Sequence, residues 1–288
     1  MESYYEKRQR LVSVFRDTMQ KIQRSEALQL AVQDSIRSQL FIAEADNITL
    51  PDERYAVPAQ VTVTKNRSFE AAAKYINTAG YSASNGRVAV LNFASACNPG
   101  GGVETGASAQ EESLCRVSTL YPCLRDKKMW NSFYQPHRLA NNPLHNDDII
   151  YTKDVVVLKD DDYNDLREPF MADVITCAAP NLRETPSNRY NQRNRNQRVT
   201  ISNDELRRLH EQRGRKILSV ASQNGAEVVI LGAFGCGAFS NDPRVVAQAY
   251  RNILPKIANC FRIIEFAVWC PPTDDSNYRV FSDMIGGL

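Results

Sequence analysis

The sequence lacks the features that mark most specialised classes of protein. No apolar run approaches the roughly 20 residues that cross a bilayer, and the opening Met1-Glu2-Ser3-Tyr4-Tyr5-Glu6-Lys7-Arg8 has no signal-peptide core. An intracellular, soluble protein is expected, in the cytoplasm or, in a eukaryote, the nucleus, with no membrane partner. The formal net charge of +2 is too small to predict nucleic-acid binding, so no DNA is expected to be required. Histidine occurs only as His137, His145 and His210, never at H-x-x-x-H spacing, which weighs against a metallohydrolase; no metal is expected. The seven cysteines (Cys97, Cys115, Cys123, Cys177, Cys236, Cys260, Cys270) are odd in number and form no C-x-x-C pair. That pattern supports neither a disulfide framework nor a zinc cluster. Most lie in apolar or tightly turned segments, where a thiol is a small core residue.

Apolar residues at 43% and charged residues at 24% describe an ordinary globular chain, and 288 residues suffice for a substantial core. Leu11, Phe15, Met19, Ile22, Val32, Ile36 and Leu40 recur at helical spacing, predicting one helix or a broken pair over 11–41. Val61 and Val63 mark a short strand, followed by an alanine-rich helix from Phe69 to about Ala79, closed by Gly80. Strand signals then fall at Val88–Leu91, Asp154–Leu158, Asp173–Ala179, Glu227–Leu231 and Ile263–Trp269. Helices are expected over Glu111–Leu124, Asp204–Asn224 (with Ser202 or Asn203 as N-cap), Pro243–Ala258 and Tyr278–Ile285. Residues 125–150 and a polar stretch from Arg183 to Gln197 read as irregular. That stretch and the residue after it carry Arg189, Arg193, Arg195 and Arg198 and offer a phosphate-contacting surface or simply a solvated loop. Near-continuous apolar strands between helices imply an α/β sheet covered on both faces. No linker divides the chain, so a single unit is expected: an N-terminal helical extension (1–60) packed on a core of 61–288.

Two glycine-rich loops follow strands directly: Asn98-Pro99-Gly100-Gly101-Gly102 after Val88–Phe93, and Gly232-Ala233-Phe234-Gly235-Cys236-Gly237-Ala238-Phe239 after Val228–Leu231. In an open α/β sheet ligands bind beyond the carboxyl ends of strands, so adjacent strands would set both loops on one crevice. Neither loop matches G-x-G-x-x-G, because Thr occupies position 105 and the second loop runs the spacing in reverse. A hydride-transferring dinucleotide enzyme is disfavoured, and no cofactor is expected. A helix near Pro243 would aim free amides at a phosphate. Gln110-Glu111-Glu112 follows the triple glycine after seven intervening residues, at the start of a helical pattern. Acidic residues there complement the helix dipole, but beside a loop that bares its backbone they also suggest acid–base chemistry. Adjacent helical residues point about 100° apart, so the two glutamates are not expected to face one atom.

The run Leu91-Asn92-Phe93-Ala94-Ser95-Ala96-Cys97-Asn98-Pro99-Gly100-Gly101-Gly102, with Gly106-Ala107 and Ala109-Gln110-Glu111-Glu112, resembles the microbial-type poly(ADP-ribose) glycohydrolases. Cys177-Ala178-Ala179-Pro180-Asn181, the Gly232–Phe239 loop and Asn241-Asp242-Pro243 extend the resemblance over about 10–285. It implies a three-layer α/β/α macrodomain-like mixed sheet. It further implies that Glu112 is the catalytic acid–base, that Glu111 holds hydroxyls of the terminal ribose, and that Asn98 places the same sugar. Gly100, Gly101 and Gly102 would let the ribose lie against backbone, with Gln110 beside it. Gly235, Cys236, Gly237 and Ala238 would wrap the diphosphate, and Phe239 would pack on the ribose. Adenine contacts stay open.

The implied reaction is hydrolysis of the ribose–ribose O-glycosidic bond of poly(ADP-ribose), or of ADP-ribosylated protein, with ADP-ribose as product. A mono-ADP-ribosyl-protein hydrolase would use the same acid on a different leaving group. A non-catalytic ADP-ribose reader would need the loops but not the glutamates. The monomer is the expected state.

Overall fold

The computed structural model describes residues 2–46, 48–49, 51–76, 87–186 and 198–288. Seven strands form one sheet: β1 (Leu40–Ile42), β2 (Gln60–Thr64), β3 (Arg87–Phe93), β4 (Ile149–Lys159), β5 (Asp165–Cys177), β6 (Ala226–Leu231) and β7 (Ile263–Ala267). Their spatial order is β1-β4-β5-β3-β6-β7-β2. From β5 to β2 all neighbours run parallel, whereas at the other edge β4 runs antiparallel to both its neighbours, β1 and β5. The sheet is therefore mixed.

Its central strands are apolar on both faces because helices cover both. Ala89, Leu91, Val229 and Leu231 point into one core layer with Ile217 and Leu218 of α8 (Asn203–Gln223), Val246 and Tyr250 of α9 (Pro243–Ile253), and Phe281 of α10 (Ser276–Ile285). The alternate residues Val88, Val90, Val228 and Ile230 face the second layer, as the twofold side-chain period of a strand requires. That layer is built by Phe15 of α1 (Tyr4–Arg24), Phe69 and Ala72 of α3 (Ser68–Ile76), and Leu114 and Val117 of α4 (Gln110–Val117). Helix α2 (Glu26–Ser38) follows α1 after Ser25, which caps it by accepting from the Leu28 amide. Among the described residues no helix is long and apolar enough to cross a membrane.

The α1 helix lies against the loop that carries the triple glycine. Arg8 donates twice to the Thr105 carbonyl, at 2.9 and 2.7 Å. The wholly buried Arg116 of α4 donates to Leu11 O on α1 and to Ala107 O in the loop, and Thr18 Oγ1 donates to Arg116 O at 2.7 Å.

Several boundaries differ from the sequence-based expectations. The helix expected over Glu111–Leu124 is two, α4 and α5 (Leu120–Leu124), because Ser118 and Thr119 leave the helix to bond the β4 backbone. Thr119 donates its amide to Val156 O and its Oγ1 accepts from Val156 N, each at 2.9 Å. Much of 125–150 is helical: α6 (Lys127–Met129), a π-turn over Trp130–Tyr134, and α7 (Gln135–Ala140). The strands expected over Asp154–Leu158 and Asp173–Ala179 are parts of one long hairpin with no helix between them, and the second stops at Cys177. Asp160 closes its tip by accepting from the Asp162 and Asn164 amides. Helix α9 stops at Ile253, just before Pro255, and β7 stops at Ala267. Ser202 is the α8 N-cap, in a capping box with Glu205. The expected end of the third helix at Ala79–Gly80, and Arg189, Arg193 and Arg195, lie outside the described residues.

Candidate active site

Strands β3 and β6 are parallel neighbours, with Val90 opposite Ile230, so their two glycine-rich loops leave the same sheet edge side by side. Between them opens a cleft of about 810 Å³. Asn98, Gly101, Gly102, Gln110, Glu111 and Glu112 line one wall; Gly235, Gly237, Ala238 and Phe239 line the other.

Both carboxylates converge on Gly101, although they are adjacent on a helix. Gly101 has φ of 59°, and a Cβ built there would overlap the Glu112 carboxylate, with Cδ at 2.9 Å, and reach Glu111 Oε2 at 3.2 Å. Residues at the first turn of a helix direct long side chains back past the N-terminus, and three rotatable bonds let two glutamates meet at one point. This corrects the expectation that they diverge. Glu112 is 8% exposed; its Oε1 accepts from the Gly102 amide at 2.8 Å, while its buried Oε2 has no protein partner. Glu111 is 3% exposed and accepts from Ser95 N at 2.8 Å and Asn92 Nδ2 at 3.5 Å. Burial, then the neighbouring Glu112 charge, push the Glu111 carboxyl well above the ordinary range, against the donors at Ser95, Asn92 and Gly100. Asn98 braces the turn by donating from Nδ2 to Gly101 O.

Gln110 reaches the cleft, but its amide is fully committed to the scaffold. Nε2 donates to Ser68 Oγ (3.0 Å) and Leu91 O (2.7 Å), and Oε1 accepts from Phe93 N (2.8 Å). It ties α4 to the end of β3. Gly100 does not line the cleft: it backs onto Tyr121, whose Cδ2 would lie 2.6 Å from an added Cβ. Cys236 is likewise not among the lining residues, and burial raises its thiol pKa well above the usual range.

In the second loop Gly235 takes φ of 81°, and an added Cβ would meet Ala179 Cβ at 2.7 Å. The loop is held from behind by buried Asn241, whose Nδ2 donates to Pro180 O (2.6 Å), Gly235 O (3.2 Å) and Phe239 O (3.2 Å). Its Oδ1 then accepts from His210 Nε2 at 2.8 Å, which fixes the tautomer of that ring. Among the described residues the amides of Gly235, Gly237, Ala238 and Phe239 have no protein acceptor. The α9 N-terminus is not part of the site: Asp242 caps it through the Arg244 amide, and no residue of the helix lines the cleft.

The sequence did not reveal the opposite end of the cleft. Trp269, just past β7, is half exposed there, with the Arg67 guanidinium 4.3 Å from its ring centroid. Arg67 Nε also faces Asp161 of the β4–β5 hairpin tip at 3.9 Å. Burial raises the Asp161 carboxyl to about 6, with Arg67 opposing. The rule that ligands sit past strand ends applies to β7 and β2 as well, and would have singled out Trp269 and Arg67. Nothing in sequence spacing brings Asp161 to them.

Paired buried carboxylates facing a bank of open backbone amides, at the carboxyl edge of an α/β sheet, suit an enzyme that processes an anionic glycoside. Residues 2–160 match the family model described as microbial-type PARG, catalytic domain, and the chain belongs to that family, the microbial-type poly(ADP-ribose) glycohydrolases. It is thus a glycosidase. Among solved structures it is similar to the poly(ADP-ribose) glycohydrolase of Thermomonospora curvata, at 29% identity and TM-score 0.81, covering 96% of this chain and 100% of that one. The same Thermomonospora enzyme bound to the inhibitor ADP-HPD superposes at TM-score 0.77. The Deinococcus radiodurans enzyme in complex with ADP-ribose is 28% identical, at TM-score 0.72, covering 88% of this chain and 96% of that one. No curated protein matches the sequence.

Proposed function

We propose that this chain hydrolyses the ribose–ribose O-glycosidic bond of poly(ADP-ribose), releasing ADP-ribose, with Glu112 as the acid and then the base. The observation that carries the assignment is the asymmetry of that carboxylate: one oxygen is held by the Gly102 amide, the other is buried and unpartnered beside Gly101. In the proposed reaction Glu112 gives its proton to the departing 2′-oxygen as the C1″–O bond breaks. The positive charge that develops on the sugar is offset by the substrate's own diphosphate. Water then adds to C1″ and returns a proton to Glu112, leaving ADP-ribose and a polymer one unit shorter.

The open amides of Gly235, Gly237, Ala238 and Phe239 suit a diphosphate, and the Trp269–Arg67 pair offers a face for the base. The ADP-ribose and ADP-HPD complexes of the two bacterial relatives support this reading. We read the layered sheet as a macrodomain and residues 1–60 as an extension bracing the glycine loop through Arg8 and α1. We take the chain to be a monomer, and the seven free cysteines fit a reducing cytoplasm.

The test is labelled poly(ADP-ribose) with wild type and Glu112→Gln in parallel. Wild type should release ADP-ribose, and the variant should bind polymer without releasing it. Turnover undiminished in Glu112→Gln removes this residue from its role.

A further inference from the structure

Among the described residues three arginines line the cleft, and two are engaged. Arg67 covers Trp269 and faces Asp161; Arg8 donates twice to Thr105 O. Arg183 differs. Its only hydrogen bond among the described residues runs from Nη2 to Pro186 O at 3.1 Å, and its buried Nε has no partner. Burial pulls its guanidinium below arginine's ordinary range, and among the described residues no carboxylate offsets the penalty. A half-buried cation with spare donors on a cleft wall is built for an anion that arrives from outside.

The segment around it is shaped for that display. Pro186 O accepts from both Arg183 Nη2 and Asn181 Nδ2 (3.3 Å), closing a tight loop over 181–186. The Asn181 amide anchors this loop to Pro143 O at 2.8 Å, and the Leu182 amide stitches it to Phe239 O at 2.9 Å. Arg183 thus sits beside the phenylalanine that ends the second glycine-rich loop.

Strand order says which anion. Arg183 follows β5, which lies on the side of β3 away from β6, β7 and β2. Trp269 and Arg67 follow β7 and β2, at the opposite end. A nucleotide with its base toward Trp269 and its diphosphate on the amides of 235–239 has its terminal ribose toward Arg183. The next anion beyond that ribose belongs to the departing part of the polymer.

We infer, resting on the proposed polymer hydrolysis, that Arg183 forms a leaving-side subsite that binds a phosphate of the adjoining ADP-ribose unit. It serves as a specificity residue for polymer over substrates that end at the scissile bond.

The experiment measures binding in the Glu112→Gln background, using dimeric ADP-ribose and monomeric ADP-ribose as probes, with and without Arg183→Ala. Loss of one charge-assisted contact should weaken the dimer about tenfold and the monomer less than about twofold. Arg183→Lys, which keeps the charge but not the fork, should fall between and guards against a folding artefact. For longer polymer the dependence of log affinity on log salt should flatten by about 0.7 in Arg183→Ala. Equal weakening of dimer and monomer would assign Arg183 to the first diphosphate and overturn the inference, as would no weakening of either. Failure of the proposed function reads differently: wild type would release no ADP-ribose, whatever residue 183 is.

Discussion

Gly101→Ala tests whether the carboxylate pair is set by the glycine beneath it. The residue has φ of 59°, where an alanine costs about 1–2 kcal/mol. Its new Cβ would overlap Glu112 Oε1, lie 2.9 Å from Glu112 Cδ, and touch Glu111 Oε2 at 3.2 Å. Those atoms are the ends of flexible side chains, so the backbone can stay and the carboxylates must move. Stability should therefore fall only by the conformational term, about 2–8 °C in Tm for a chain of this size. A displacement of about 1 Å at the reacting group costs on the order of 100-fold in rate. The assay is kcat on poly(ADP-ribose) together with calorimetry of the same samples. Rate loss near two decades with a modest Tm shift supports the geometry. A kcat within about threefold of wild type refutes it, because Glu112 would then not depend on the glycine for its position.

Two further outcomes follow from the electrostatics of the pair. Glu111 has a folded-state pKa well above its unfolded value, so above the unfolded pKa the native state holds a proton that the unfolded chain has released. Its burial therefore costs stability increasingly as pH rises from the unfolded pKa toward the raised folded one. Glu111→Gln should raise Tm more at pH 7 than at pH 4 while lowering activity; calorimetry at both values checks the sign, and a pH-independent shift contradicts it. The substrate's diphosphate adds negative charge near the buried Glu111 carboxyl and should favour its protonated form further. The alkaline limb of kcat should then lie at higher pH than that of kcat/KM, the first reporting the complex and the second the free enzyme.

Legibility followed how local each determinant was. The central strands were readable because Val88–Leu91 and Val228–Leu231 are unbroken apolar runs, the second followed at once by Gly232, and both facts sit in consecutive residues. The pairing of the two glycine-rich loops was legible as a conditional, needing only β3 beside β6. The flanks of β4 and β5 were not, since polar residues such as Asp165, Arg167 and Glu168 dilute the strand signal while the hairpin ladder still holds them. Likewise 127–140 hides its helices behind a π-turn at Trp130–Tyr134 and Pro136, which break the 3.6-residue rhythm. At the site the contrast is sharper. Gln110 is bound to Ser68, Leu91 and Phe93, partners 17 to 42 residues away that no motif announces. The glutamate pair shows the same limit from within one helix. Its convergence depends on what the chain leaves out at position 101, so backbone spacing alone predicts the wrong directions. A bare Cα at 101 lets two neighbouring carboxylates share one point, where burial, and then the adjoining carboxylate, raise the proton affinity of Glu111.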